Sequence, residues 1–211
     1  MEREVDMNEI SDGRRYRASD MARIGCRDCE GCSECCHIME DTIVLDPYDI
    51  WQLESNLHLT MEEMMTEGYM EPAVYNGIIL PHLSLSENGC KFLTNAGRCG
   101  IHAFRPGYCR LFPLGRVYEN GGFSYFHQIG QCPARATTKV RIDKWLGIPN
   151  LPEYERYVLA WHDYTKALTG QVKDQPVEVM QRLNMDMLKK FFLAPYEEAD
   201  FYGQFYRRLN S

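Results

Sequence analysis

The chain is 211 residues long, with 45% hydrophobic and 25% charged residues, a balance that excludes a disordered or collagen-like polymer and fits one folded domain, or one domain with an appended element. A formal net charge of −7 argues against broad attraction to nucleic acid or to an anionic membrane surface. No apolar run approaches the roughly 20 residues of a membrane span, and the opening stretch lacks the apolar core of a secretory signal, so a cytoplasmic setting is expected.

Residues 1–25 are polar, with Arg14, Arg15 and Arg17 set among carboxylates, and predict a loose arm or a short helix. Thr42-Ile43-Val44-Leu45 predicts a short strand, and Asp46-Pro47 an N-cap followed by proline in the first turn of a helix through Trp51 and Leu57. Thr60 and Glu63 have capping-box spacing ahead of Met64 and Met65, which predicts a second helix. Ile78 to Leu85 reads as a strand interrupted by Pro81. Between Arg116 and Phe126, Asn120-Gly121 separates two β-rich runs and readily takes the positive φ angles of a hairpin turn.

Beyond Thr137 the pattern becomes helical. After Leu151-Pro152, the residues Tyr154, Tyr157, Val158, Trp161 and Leu168 recur at helical spacing, a stripe expected in the core, with Gly170 as the expected C-cap. Two more helices are predicted, from Pro176 to Phe192 and from Pro195 to Leu209. The fold class is α+β: a polar arm (1–25), a small cysteine-bearing unit with short strands and a hairpin (26–136), and a helical C-terminal layer packed on it (137–211).

Cysteine is the unusual component. Nine thiols occur: Cys26, Cys29, Cys32, Cys35, Cys36, Cys90, Cys99, Cys109 and Cys132. The odd count and the adjacent pair fit a disulfide framework poorly in a reducing compartment. Five of them fall within Cys26-x2-Cys29-x2-Cys32-x2-Cys35-Cys36, where Gly25 and Gly31 permit the tight turns that turn several side chains toward one ion or cluster. Buried cysteines that merely pack would be scattered at core periodicity, so metal ligation is the stronger reading.

The choice of metal stays open. Structural zinc takes short-spaced ligand pairs, whereas Cys90, Cys99, Cys109 and Cys132 arrive singly. The repeated two-residue spacing and Cys132-Pro133 share features with iron–sulfur runs without matching any as a whole. On an extended backbone the side chains of Cys35 and Cys36 would diverge and suit different metal atoms, which favours two centres or one multinuclear centre. Five basic residues and no acid lie between Asn88 and Tyr118, which places cations beside the later thiols. Among them, Arg105 and Arg110 flank Cys109 and are candidate donors to sulfur or to a bound anion. His37 and His102 are further ligand candidates, while His58, His82, His127 and His162 have no partner spacing. No phosphate-cradling glycine loop and no nucleophile-elbow motif occurs.

The string Cys29-x-x-Cys32-x-x-Cys35-Cys36, with Cys90-Lys-Phe-Leu, Cys99-Gly-Ile-His, Arg105-Pro106-x-x-Cys109-Arg110-x-Phe112-Pro113 and Cys132, resembles the YkgJ-type cysteine-cluster proteins, which carry a zinc- or iron-chelating CxxCxxCC domain. The resemblance covers about residues 26–135 and leaves Cys26 as a ninth thiol, either spare or standing in for a ligand, and His102 where a tyrosine is expected. It implies that Cys29, Cys32, Cys35, Cys36, Cys90, Cys99, Cys109 and Cys132 ligate one or two metal centres. Some members are similar to flagellin lysine methylases with an iron–sulfur cluster. One reading is thus a protein with one or two iron–sulfur clusters of the 4Fe-4S type, acting on a protein substrate or with a redox partner. Its enzymatic extension is lysine methylation with S-adenosylmethionine, for which no binding residue can be nominated. The other readings are a non-catalytic zinc module that binds a partner, and a metal-storage protein.

Overall fold

The computed structural model describes residues 6–26, 32–38, 43–87, 89–133, 138–197 and 199–211. The N-terminal arm holds a short helix, α1 (Met7–Ile10), and is pinned to the rest of the chain. Its Ser11 and Tyr16 bridge Gln128 and Tyr125, and its last residues form β1 (Met21–Gly25), which pairs antiparallel with β8 (Thr138–Arg141). Ala22 and Ile24 of β1 are buried. This strand escapes the sequence reading because its alternation is short and its partner lies more than a hundred residues away.

After α2 (Cys35–Ile38), the expected strand at Thr42–Leu45 is reduced to a bridge between Val44 and His82, flanked by bonds from Leu45 N to Pro81 O (2.8 Å) and from Leu83 N to Ile43 O (3.0 Å); Thr42 lies outside the described residues. Helix α3 (Pro47–Leu57) starts as predicted, with Asp46 capping it and Asp49 closing a capping box. Helix α4 (Met61–Thr66) starts from Thr60 and Glu63 in the same way. The strand at Ile78 is not interrupted: β3 (Ile78–Leu83) runs through Pro81, which pairs opposite Pro72 of β2 (Met70–Tyr75). Pro81 is tolerated opposite Pro72 because its backbone faces away from β2, its carbonyl accepting from Leu45 N on the other side, so no N–H is missed between the two prolines. Its turn, Asn76-Gly77, has φ of 51° and 82°.

A small hairpin follows, β4 (Leu85–Ser86) with β5 (Gly89–Cys90), and then a 3₁₀ turn at His102–Phe104 and helix α5 (Gly107–Leu111). The predicted hairpin is present as β6 (Leu114–Glu119) and β7 (Gly122–His127), with Asn120 and Gly121 at φ 53° and 70°. All four sheets have two strands among the described residues.

The region after Thr137 is not wholly helical, since β8 comes first and leads into α6 (Ile142–Leu146). Helix α7 (Leu151–Val172) runs past Gly170, because the next inward position, Val172, is buried; the chain leaves the helix at Lys173 and takes positive φ at Asp174 instead. The predicted Pro176–Phe192 helix is α8 (Val177–Leu188), continued by a wide π-type turn at Lys189–Leu193. The last predicted helix is shorter than expected: α9 (Phe201–Leu209) starts where the Asp200 carboxylate accepts from Gly203 N–H.

The aromatic stripe of α7 is core. Tyr154, Tyr157 and Trp161 are buried, with Tyr157 edge-on to Phe205 at 4.7 Å and Trp161 against Phe191 at 5.3 Å. The same apolar cluster takes in Leu45 and Leu53 near α3 and Ile142 of α6, so the helical layer and the cysteine-bearing segments bury their apolar faces against each other. No described helix is long and apolar enough to cross a membrane.

Candidate metal centre

The adjacent thiols sit on α2, a single turn closed by Cys36 N to Ser33 O (2.8 Å) and His37 N to Glu34 O (3.0 Å). The pair is therefore helical and not extended as expected, and the two thiols hydrogen-bond each other. This turn lies against β5. Gly89, at φ +94°, lets the two backbones meet: a Cβ there would stand 2.9 Å from the Cys36 carbonyl and 2.6 Å from His37 Nδ1. Cys90 is thereby delivered beside Cys36 from a hairpin tightened by Ser86, whose Oγ donates to Gly89 O (3.1 Å).

Cys99 follows a tight turn in which Gly97 has φ +68° and Gly97 N donates to Thr94 O (2.8 Å). It bridges Leu93, and Gly100 N donates to Phe92 O (2.8 Å), which folds Cys99 back toward Cys90. Cys109 is carried by α5. The first residue of that helix, Gly107, donates its N–H to Asp49 Oδ1 at 2.8 Å, so the buried carboxylate of α3 also fixes where Cys109 sits. Gly107 is itself required, since a Cβ would meet Tyr154 Oη at 2.6 Å.

Electrostatics show which sulfurs these devices bring together. Cys35 is held down to about 7 by the hydrogen bond from Cys36, with the Arg105 charge also helping against burial; Cys36 is correspondingly pushed up by that bond and by burial. Burial raises Cys90 and Cys99, and raises Cys109 well above the usual thiol range. Each of these three also feels Cys35, and Cys109 feels Cys90 and Cys99 as well. Thiols from the first cysteine cluster and from three later stretches thus share one field. A thiophilic metal would replace the protons that burial holds on these sulfurs, and that donor chemistry fits zinc or iron. Among the described residues no three His, Cys, Asp or Glu side chains already surround a common point that could hold one ion.

The two arginines differ. Arg105 acts on Cys35 and Cys99, hydrogen-bonds the His102 ring, and keeps a buried Nε without a partner. Arg110 donates from Nη1 to Leu146 O (3.2 Å) and from Nη2 to Ala103 O (2.9 Å), bracing the 3₁₀ turn against α6. Burial lowers the Arg110 pKa, and the neighbouring Arg105 charge adds to it. His37 is exposed with its ring against Gly89. Cys29 lies outside the described residues.

Cys32 and Cys132 line a second location. There a small pocket, partly open to solvent, is bounded by Cys26, Cys32, Cys35 and Cys132. Phe112 and Trp145 form its apolar wall, which is fixed by Trp145 Nε1 donating to Phe112 O at 3.2 Å.

Two residues that shape this region, Asp49 and Gly89, are not among the sequence candidates. Asp49 carries a readable signal, because Asp46-x-x-Asp49 repeats the capping-box spacing of Thr60-x-x-Glu63. Gly89, placed directly before Cys90, carries a weaker one; Cys26, an open candidate in the sequence, lines the pocket.

A family model matches residues 28–133, the CxxCxxCC family, described as a "putative zinc- or iron-chelating domain". No curated protein and no solved structure matches the chain, and these comparisons lend no support to a likeness with flagellin lysine methylases. The model spans half of the chain and includes Cys29, Cys32, Cys35, Cys36, Cys90, Cys99, Cys109 and Cys132, which places the protein in the CxxCxxCC family of zinc- or iron-chelating domains.

Proposed function

We propose that this protein binds one or two iron–sulfur clusters through Cys29, Cys32, Cys35, Cys36, Cys90, Cys99, Cys109 and Cys132. The observation that carries the reading is the shared field of Cys35, Cys36, Cys90, Cys99 and Cys109, drawn from distant stretches of the chain. Four thiolates suit a 4Fe-4S cluster as they suit a zinc ion, and the eight cysteines are enough for two such clusters. Arg105, with its unpartnered Nε, is the donor to the centre's sulfur or to an anion bound beside it, whereas Arg110 holds the surrounding backbone. A bound cluster would supply electron transfer or activate a substrate. The chain's own part is to gather the thiolates, exclude water around Cys109 and offset their negative charge. Residues 26–136 form the metal-binding unit, and 137–211 a layer packed on it. The contact of Tyr48 of α3 with Tyr154 of α7 (5.3 Å between centroids) supports that arrangement.

Nothing nominates a residue for S-adenosylmethionine, so the proposal stops at cluster binding. Protein prepared without oxygen is expected to be brown, to contain acid-labile sulfide and to bleach with dithionite. Cys35→Ser and Cys109→Ser should each lower iron and sulfide. A preparation that stays colourless and sulfide-free after reconstitution with iron and sulfide, yet carries zinc, would replace this reading with a zinc module in which the metal staples the fold.

A further inference from the structure

The N-terminal arm is tied to the cysteine-bearing region by backbone bonds. Residues 10–16 lie along the edge of β7 that faces away from β6. Tyr16 and Tyr125 exchange both backbone bonds (Tyr16 N to Tyr125 O, 2.8 Å; Tyr125 N to Tyr16 O, 2.9 Å), and Asp12 N donates to His127 O at 3.3 Å. The contact continues past β7, where Ser11 bridges Gln128 and Ile129 N donates to Ile10 O (2.8 Å), three residues before Cys132. Gln128 is also held from the other side, by its N–H to Pro113 O (2.9 Å) and its side-chain amide to Leu114 O (2.8 Å). The backbone leading to Cys132, which lines the small pocket with Cys26, Cys32 and Cys35, is thus clamped between the arm and the start of β6.

The arm's grip is light. From residue 6 to residue 16 only Ser11 and Tyr16 are buried, and α1 buries nothing. The Tyr16 phenol donates within the arm, to Asp12 Oδ2. Arg15 and Glu119, 3.8 Å apart, are both open to solvent, where an ion pair adds little. Farther along, the hold is firmer: Asp143 N and Ile142 N donate to Ala18 O (2.9 Å) and Asp20 O (3.0 Å), and β1 pairs with β8. Segments with few buried contacts open locally without unfolding of the whole chain. Residues 10–16 can therefore lift while β1 stays, which frees the Cys132 side of the pocket and leaves the Cys26 side tethered.

We propose that residues 10–16 are a latch, and that their detachment from β7 is the opening through which metal is exchanged at the pocket lined by Cys132. This rests on the thiol-metal reading above and deepens it by naming what regulates the site.

The test compares two rates in full-length protein loaded with zinc, or with ferrous iron and sulfide: backbone hydrogen exchange and metal release to a competing chelator. In wild-type protein, low urea should speed the exchange of the Ile129 and Tyr125 N–H groups and the release of metal by the same factor, before the amides of α7 respond. Tyr16→Ala removes the buried anchor and should raise both rates about tenfold or more, with the α7 amides unchanged. Tyr16→Phe keeps the ring and should stay near wild type. Metal release that follows α7 exchange in wild-type protein overturns the latch. So does release at the wild-type rate in Tyr16→Ala while Ile129 exchange quickens. If Tyr16→Ala does not fold, the wild-type urea series decides alone. Wild-type protein that takes up neither metal refutes the underlying reading, and the latch with it, whatever Ile129 exchange shows.

Discussion

Gly89 and Asp49 do the positioning that the cysteines themselves cannot. At Gly89 a side chain faces two penalties at once, a left-handed backbone and a contact of 2.9 Å with the Cys36 carbonyl, an atom that cannot swing aside. Gly89→Ala is expected to destabilise the protein by about 1–3 kcal/mol and to reduce bound metal, as read from the denaturation midpoint and metal content of the same preparation. An unchanged midpoint would show that α2 and β5 do not need this approach. Asp49 accepts from Asp46 N–H and Gly107 N–H, and burial pushes its carboxyl well up, with the Asp46 charge adding to it. Asp49→Ala leaves the buried Gly107 N–H without its acceptor, a loss of about 1–3 kcal/mol, and loosens the helix that carries Cys109. The expected result is weaker metal retention under a competing chelator, and wild-type retention would dismiss Asp49 as a positioning residue. The cysteines were legible in the sequence because thiol spacing is rare and chemically specific. Gly89 was not, and Asp49 showed only its capping-box spacing, because the importance of both arises where backbones distant in the chain come close.

Element starts were legible where a local side chain makes them. The capping boxes at Asp46 and Thr60 fixed α3 and α4 to the residue, because each is a closed exchange of hydrogen bonds within four positions. Thr60→Ala should therefore cost about 1 kcal/mol, measured as a shift in the unfolding midpoint, with metal content unchanged because α4 carries no thiol. A loss of metal in that variant would mean that α4 supports the centre. Long-range pairing left no such mark. β1 and β8 are each too short to declare themselves, and the turn Asn76-Gly77 went unread although it has the chemistry of Asn120-Gly121, because Pro72 and Pro81 argue locally against the strands it joins. Gly170 misled for the opposite reason: a glycine on an exposed helix face costs about 1 kcal/mol, which the burial of Val172 outweighs, so the helix continues.

At the scale of the whole molecule, the aromatic residues of α7 and α9 pack against α3, and their phenols are enclosed with them. Burial pushes Tyr48, Tyr118, Tyr125, Tyr154, Tyr157 and Tyr202 above the ordinary phenol value and takes Tyr196 up to about 12. In the unfolded chain the same groups lose their protons near the ordinary phenol value, about pH 10. Between that pH and the raised folded values the native state holds more protons than the unfolded state, so stability is full below about pH 10 and falls as pH rises through the folded pKa values. The core should consequently fail cooperatively in alkali, with the rise in phenolate absorbance coinciding with loss of helical circular dichroism. Tyr154→Phe removes one raised phenol and should make the alkaline decline shallower. A gradual phenolate rise at the ordinary pH, with helix content intact, would mean that these rings are open to solvent and that the helical layer does not close over α3.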